Sequence, residues 1–264
     1  MQEYNNIDHR IHRLSQVIAK VNRSFVPKKP DDSHTNLFFD PISHRIYGRW
    51  IDAGDKKIIF ALNLKEFAFE WLNDKRQIIQ SFDIQDKTID DMEFAIAQSL
   101  PLMGLKKEGF RDKLHFEIPV YPFLKESFES FALKSRENWE YYREIANRAC
   151  SELLGYLQVD GEIRIWPHHF DTGIYVEPNI NTGLGFGLAM EDEMVGSPYF
   201  YFSGYRLNGK GFDYENVPDL LNGKWIISKN WNGAVLPLSD LEKEGFRTIP
   251  VFLKEVSDWF LINS

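Results

Sequence analysis

The sequence predicts an α+β fold, antiparallel sheets with flanking helices, on three observations. Two long stretches carry apolar residues at helical spacing. Between them lie runs of short, strand-like segments broken by Gly, Asn, Asp and Pro. Helices and strands come in blocks, whereas a parallel sheet would make them alternate. The order helix-then-meander occurs twice, which suggests two similar lobes, 1–134 and 135–264. No low-complexity linker separates them and no residue-level repeat relates them, so a single domain over 1–264 is the expectation.

The first helix rests on Ile7, Ile11, Leu14, Ile18, Val21 and Phe25, whose spacing puts them on one face. The prolines of "FVPKKPDDS" end it. "HRIYGRWI", "KKIIFALNL", "FAFEWL" and "RQIIQSFDI" then read as an antiparallel meander, because "DAGDKK" and "NDK" suit tight turns. Thr88 and Asp91 form a capping box for "IDDMEFAIAQSLPLMG", a helix interrupted near Pro101 and closed by Gly104. "KLHFEIPVYP" alternates like a strand.

The second half opens on a helix with Ser135 as N-cap. Its apolar stripe is Trp139, Tyr142, Ala146, Ala149 and Leu153, its end Gly155, and Cys150 packs inside it. "EIRIWP", "TGIYVEP", "GLGFGLAM", "SPYFYFSGY", "KWIISK" and "GAVLPL" follow as strands. Ser239 with Glu242 caps a short helix, and Pro250 opens a terminal helix running through Trp259 and Phe260.

Composition narrows the function classes. A net charge of −8 argues against a nucleic-acid or anionic-membrane partner, since both need clustered Lys and Arg, and the basic clusters are only Lys28-Lys29 and Lys106-Lys107. A single cysteine cannot form an internal disulfide. The opening "MQEYNNIDHRIHRL" lacks the features of a signal peptide, and no apolar run reaches the ~18 residues that span a bilayer. A soluble, cytoplasmic protein is the expectation, with its cofactor, if any, and its oligomeric state undetermined.

The most chemical stretch is "WPHHFD", residues 166 to 171. Imidazoles and a carboxylate are suitable zinc ligands, which makes His168, His169 and Asp171 candidates for a metal. On an extended strand, neighbours point to opposite faces, so His169 and Asp171 share one face while His168 takes the other. That pair could work as acid and base, the carboxylate fixing the imidazole tautomer. His9 and His12, three apart on the first helix, are compatible with a metal or with a solvated face. No G-x-S-x-G elbow is present, and Cys150 lacks the setting of a catalytic thiol.

Two neighbouring stretches complete the candidate region. Gly183, Gly185 and Gly187 alternate with Leu184 and Phe186 as in a strand, so they are not a phosphate loop; they predict close approach of a backbone, an aromatic ring or a ligand. Glu191, Asp192 and Glu193 form an acidic turn that could hold a hard cation, with Glu191 and Glu193 as metal candidates, or simply face water. In "PYFYFSGY", Tyr199, Tyr201 and Tyr205 fall on one strand face and Phe200 and Phe202 on the other.

The order of "IHRLSQVIAKVNRSFVP", "FEIPVYPF", "ENWEYYREIANRACSELL" before "WPHHFD", and "GAVLPLSDL" resembles the bacterial DUF5996 family of uncharacterised proteins over nearly the whole chain. The resemblance matches Trp166, Phe170 and Asp171 to a Trp followed shortly by Phe-Asp. His168 and His169 stand where that family has small residues, so the resemblance implies a fold and no histidine mechanism. The leading expectation is therefore non-covalent binding of a small molecule in a cleft of the C-terminal lobe, lined by Trp166, His168, His169, Asp171, Tyr199 and Tyr201. The alternatives are a metal-assisted or His/Asp-assisted hydrolase on the same strand, and a protein-interaction module using Trp225 and Trp231.

Overall fold

The computed structural model describes residues 1–123, 125–209 and 211–264, with the main chain alone at 242–244. The chain forms two units. Gln2–Glu144 with Ile165–Phe170 make the first, and Ile145–Arg164 with Asp171–Ser264 the second. The fold class is α+β, each unit carrying one antiparallel sheet.

The first unit is built on α1, Gln2–Phe25, whose apolar stripe from Ile7 to Val21 is buried. Its sheet is the meander that the turn residues predict: β1 Phe38–Asp40, β2 Arg45–Ala53, β3 Lys56–Asn63, β4 Ala68–Asn73 and β5 Ile78–Asp83, in chain order. The β4–β5 turn is fixed by Asn73, whose Oδ1 accepts from Lys75 N (3.0 Å) and Gln77 N (2.9 Å). α1 lies so close to β2 that a Cβ at Gly48 would meet Asn22 Oδ1 at 2.5 Å and Ile18 at 2.9 Å. α2, Ile89–Ser99, starts at the Thr88–Asp91 capping box, and a 3-10 turn through Pro101 leads to left-handed Gly104. Phe60 stacks on Phe69 and packs tilted against Trp71, all three buried.

α3, Leu133–Leu157, supplies 133–144 to the first unit and 145–157 to the second. β6, Arg164–Ile165, straddles the division of the chain, Arg164 counting with the second unit and Ile165 with the first; the second unit's own strands are β7 Thr172–Asn179, β8 Thr182–Ala189, β9 Tyr199–Arg206, β10 Lys224–Ile227 and β11 Asn232–Pro237, ordered β10-β11-β9-β8-β7. α4, Leu238–Glu244, and α5, Thr248–Ile262, follow. Alternation sorts the strands into two faces: Phe186 is opposite Phe202 and Leu188 opposite Phe200, all buried, while Gly187 is opposite Tyr201 and Gly183 opposite Tyr205.

Several expectations are corrected. "KLHFEIPVYP" forms no strand, because Pro119 and Pro122 have no N–H to give a ladder and Tyr121 turns inward to α1. Ser135 lies inside the first turn of α3, which begins two residues earlier, and its hydroxyl donates to Glu3. Gly155 does not end that helix; Gln158, in the left-handed region at φ 54°, follows its last residue. α4 starts after Pro237 with no side-chain cap, so Ser239 is within it, and the Glu242 side chain lies outside the described residues. β1 was not foreseen.

Candidate functional site

WPHHFD is a turn, and this overturns the strand alternation expected for it. The short β6 ends at Ile165, just before it, and Ile165 exchanges backbone hydrogen bonds with Leu37 at 2.8 and 2.9 Å. Pro167, His168 and His169 turn, Phe170 N donates to Trp166 O (2.6 Å), and Phe170 sits at φ 56°. A bulky residue in the left-handed region costs on the order of 1–2 kcal/mol, so other contacts must hold it. Those contacts come from α1 and α3. Arg143 Nη1 donates to Phe170 O (2.8 Å), its guanidinium lies 4.7 Å from the Phe170 ring, and His12 stacks on that ring at 5.0 Å. Gln16 Nε2 donates to Pro167 O at 2.7 Å.

The clamp is ionic at its centre. Asp8 Oδ1 accepts from Arg143 Nη2 and from Trp139 Nε1, both at 2.7 Å, with Asp8 and Arg143 almost wholly buried. His12 sits beside them in one defined form. Its Nε2 faces the Pro167 carbonyl at 2.9 Å, and a carbonyl only accepts, so Nε2 carries the proton and Nδ1 accepts from the Tyr121 hydroxyl at 2.6 Å. Burial pushes the His12 pKa down to about 4, which keeps this ring neutral. Of the pair His9 and His12, compatible by spacing with a metal or a solvated face, His12 is thus an interior group, and His9 stacks on Tyr121 at 4.8 Å.

The turn also puts the paired histidines together rather than on opposite faces, with ring centroids 4.3 Å apart. His168 packs on Phe116 at 5.5 Å and has its pKa lowered to about 4, first by burial and then by His169, which is exposed. His115 Nε2 and Asp32 Oδ2 pair nearby at 3.0 Å. Among the described residues no three His, Cys, Asp or Glu side chains stand where they could hold one metal ion.

Trp166, His168 and His169 fall in the first unit, and Asp171, Tyr199 and Tyr201 in the second. Asp171, buried, accepts from the Tyr201 hydroxyl at 2.6 Å, and burial with that carboxylate raises the Tyr201 pKa well above its ordinary value. Burial likewise pushes the Cys150 thiol up, as suits a packing residue. In the acidic turn Asp192 is structural: Oδ1 accepts from Met194 N and Val195 N at 3.0 Å, and Oδ2 from Tyr199 Oη at 2.6 Å. Glu193 is exposed and Glu191 half-buried beside it.

The glycine strand has a different use. Gly185 is opposite Tyr175 on β7 and opposite Ser203 on β9, so tyrosines and glycines share one sheet face. A Cβ at Gly183 would overlap the Tyr175 hydroxyl, and one at Gly187 would stand 3.0 Å from Tyr201 Oη and 2.5 Å from Thr172 O. The rings therefore lie over a floor that only glycine permits. Tyr201 is tied down by Asp171, but Tyr175 and Tyr205 are 46% and 51% exposed, their centroids 6.0 Å apart at 57°. Polar groups ring them: Tyr175 Oη donates to Glu177 Oε1 and Ser203 Oγ to Tyr205 Oη, each at 3.2 Å.

Sequence reasoning missed Asp8, Arg143 and Tyr175. A signal existed for the first: Asp8, His12 and Gln16 repeat at four-residue steps beside the apolar stripe of α1, a second stripe that polar chemistry alone does not explain. Tyr175 alternates with Ile174 and Val176 in a strand that the sequence does show. No family model, no curated protein and no solved structure matches the chain. No helix among the described residues is long and apolar enough to cross a membrane.

Proposed function

We propose that this protein binds a small, ring-shaped polar ligand, such as a sugar ring, non-covalently on the tyrosine face of the second unit. The observation that carries the reading is the half-exposed Tyr175–Tyr205 pair above the Gly183–Gly185 floor. Two aromatic faces offer apolar area to the C–H side of a ring, and a tyrosine, with only two side-chain torsions, loses little conformational freedom on binding. Around them, Glu177 accepts while the Tyr175, Ser203 and Tyr205 hydroxyls can each donate and accept, which suits a ligand with several hydroxyls. Catalysis finds less support: the imidazole and carboxylate expected on one strand face are a turn residue and a partner of Tyr201.

The test is titration with a panel of methyl glycosides, followed through the ring signals of Tyr175 and Tyr205. Saturable shifts of both rings are expected for at least one glycoside. They should weaken about tenfold in Tyr205→Ala, the order of one aromatic contact, and persist in Tyr205→Phe. Absence of saturation across the panel, or equal affinity in Tyr205→Ala, would refute the reading.

A further inference from the structure

A second surface of the C-terminal unit is independent of the tyrosine face. Trp225 is opposite Ala234, which is opposite Phe202, so Trp225 points to the other side of the sheet from Tyr201 and Tyr205. There it meets Trp259 of α5 at 4.8 Å and Tyr214 at 6.3 Å, and Tyr214 stacks on Trp259 at 5.4 Å and 28°. Phe260 and Phe212, both buried, form the layer beneath. The outer three rings are all half-buried, and Trp225 is tilted about 60° from both others, so they make a corner rather than a flat stack. Trp225 Nε1 donates to Pro218 O (2.9 Å), which fixes one wall.

Two further features surround this corner. The stretch 211–223 carries Asp213, Glu215 and Asp219, all exposed, which outweigh the one exposed lysine that follows, Lys224 at the start of β10. Glu255, one turn before Trp259, reaches the same stretch through Leu221 N (3.2 Å). In addition β10 is the last strand on its side of the sheet, with Ile227 52% exposed on it. An edge strand offers backbone N–H and C=O groups to an incoming chain, and proteins that leave one open commonly use it for that.

We infer that β10 and the Tyr214–Trp225–Trp259 corner form a docking site for an extended basic peptide segment. The segment adds as a strand to β10. Its Lys or Arg side chains lie on the aromatic walls by cation–π attraction, and the acids of 211–223 supply charge complementarity. The backbone ladder gives affinity, and the corner gives preference for cations.

The experiment uses the full chain and the peptide acetyl-Lys-Val-Lys-Val-Lys-Val-amide, with tryptophan fluorescence and calorimetry as readouts. Saturable binding is expected, at least tenfold weaker in the Asp213→Asn/Glu215→Gln/Asp219→Asn variant and weakened again by added salt. These exposed substitutions keep side-chain size, so loss of binding is not loss of fold, and an unchanged circular dichroism spectrum verifies that. A peptide of the same sequence with alternate N-methylated amides cannot form the ladder and should not bind. Equal binding of the N-methylated peptide, or of a Glu-Val counterpart, overturns the proposal. So does a dimer that Ile227→Lys splits and the basic peptide cannot displace, for then a second copy of the chain owns the edge.

Discussion

The two units share one grammar, a helix and an antiparallel sheet, yet they treat buried polarity in opposite ways. In the first, whole charges go inside: Asp8, Glu70, Glu93 and Arg143 are buried, together with His12. Glu70 is met by Arg45 and Glu93 by Lys20, each at 2.7 Å. In the second, Asp171 is the buried charged residue among those described, and the other buried polar groups are the hydroxyls of Thr172, Thr182, Ser203, Thr248 and Ser257. The difference follows from what each must specify. A remote turn has to be found and held, and directed ionic hydrogen bonds do that. Strands adjacent in sequence need only the right register, which glycine floors and cross-strand pairs enforce.

The contrast can be broken most forcefully at Arg143. Arg143→Met removes one partner of a buried pair and strands Asp8, so stability should fall by about 3–5 kcal/mol in urea unfolding. A loss under about 1 kcal/mol would mean that the turn is held without the buried ion pair, by packing and the Gln16 and His12 hydrogen bonds to Pro167 O. Next in size is pH. The folded pKa of His12, about 4, lies below the unfolded value near 6.5, so the unfolded chain binds the extra proton between them. The neutral ring's contribution is complete above pH 6.5 and disappears as pH falls toward 4, a loss of roughly 3 kcal/mol. Denaturation curves from pH 7 to 4 should show it, and His12→Gln should flatten the slope.

The smallest effects test the other unit. Gly187→Ala drives a Cβ against backbone, Thr172 O at 2.5 Å and Gly173 Cα at 2.7 Å, and neither can step aside. A cost of about 1–3 kcal/mol is expected. Gly183→Ala meets only the tip of the half-exposed Tyr175, which can swing out, so the cost should stay below about 1 kcal/mol while the Tyr175 ring signals move. Equal costs at the two positions would show that the floor is not as tightly built as its geometry implies.

What could be read in the sequence was whatever has a short period. The α1 stripe, the meander turn at Asn73, the Thr88–Asp91 box and the Tyr/Phe alternation in 199–205 are set by neighbours within a few residues. WPHHFD was misread because its shape is set from far away, by His12, Gln16 and Arg143, and alternation has no meaning once Pro167 starts a turn. "KLHFEIPVYP" failed for the same reason: it alternates, but Tyr121 serves His12 and no strand among the described residues partners it. Of the candidate site, the tyrosine and glycine face was legible and the exposed pair at Tyr175 was not, since a pattern of two says which side a ring takes and nothing of how much water reaches it.

The clamp between His12 and Pro167 spans 155 residues of chain. During protein synthesis the second of these arrives on the order of ten to thirty seconds after the first, at elongation rates of ~5–20 residues per second. For most of that interval Asp8 lacks Arg143, 135 residues further on, and His12 lacks the Pro167 carbonyl to its end. A nascent first unit must therefore wait in an incomplete form, closed on its sheet but open at its charged end, until the polypeptide has run out through α3 and returned.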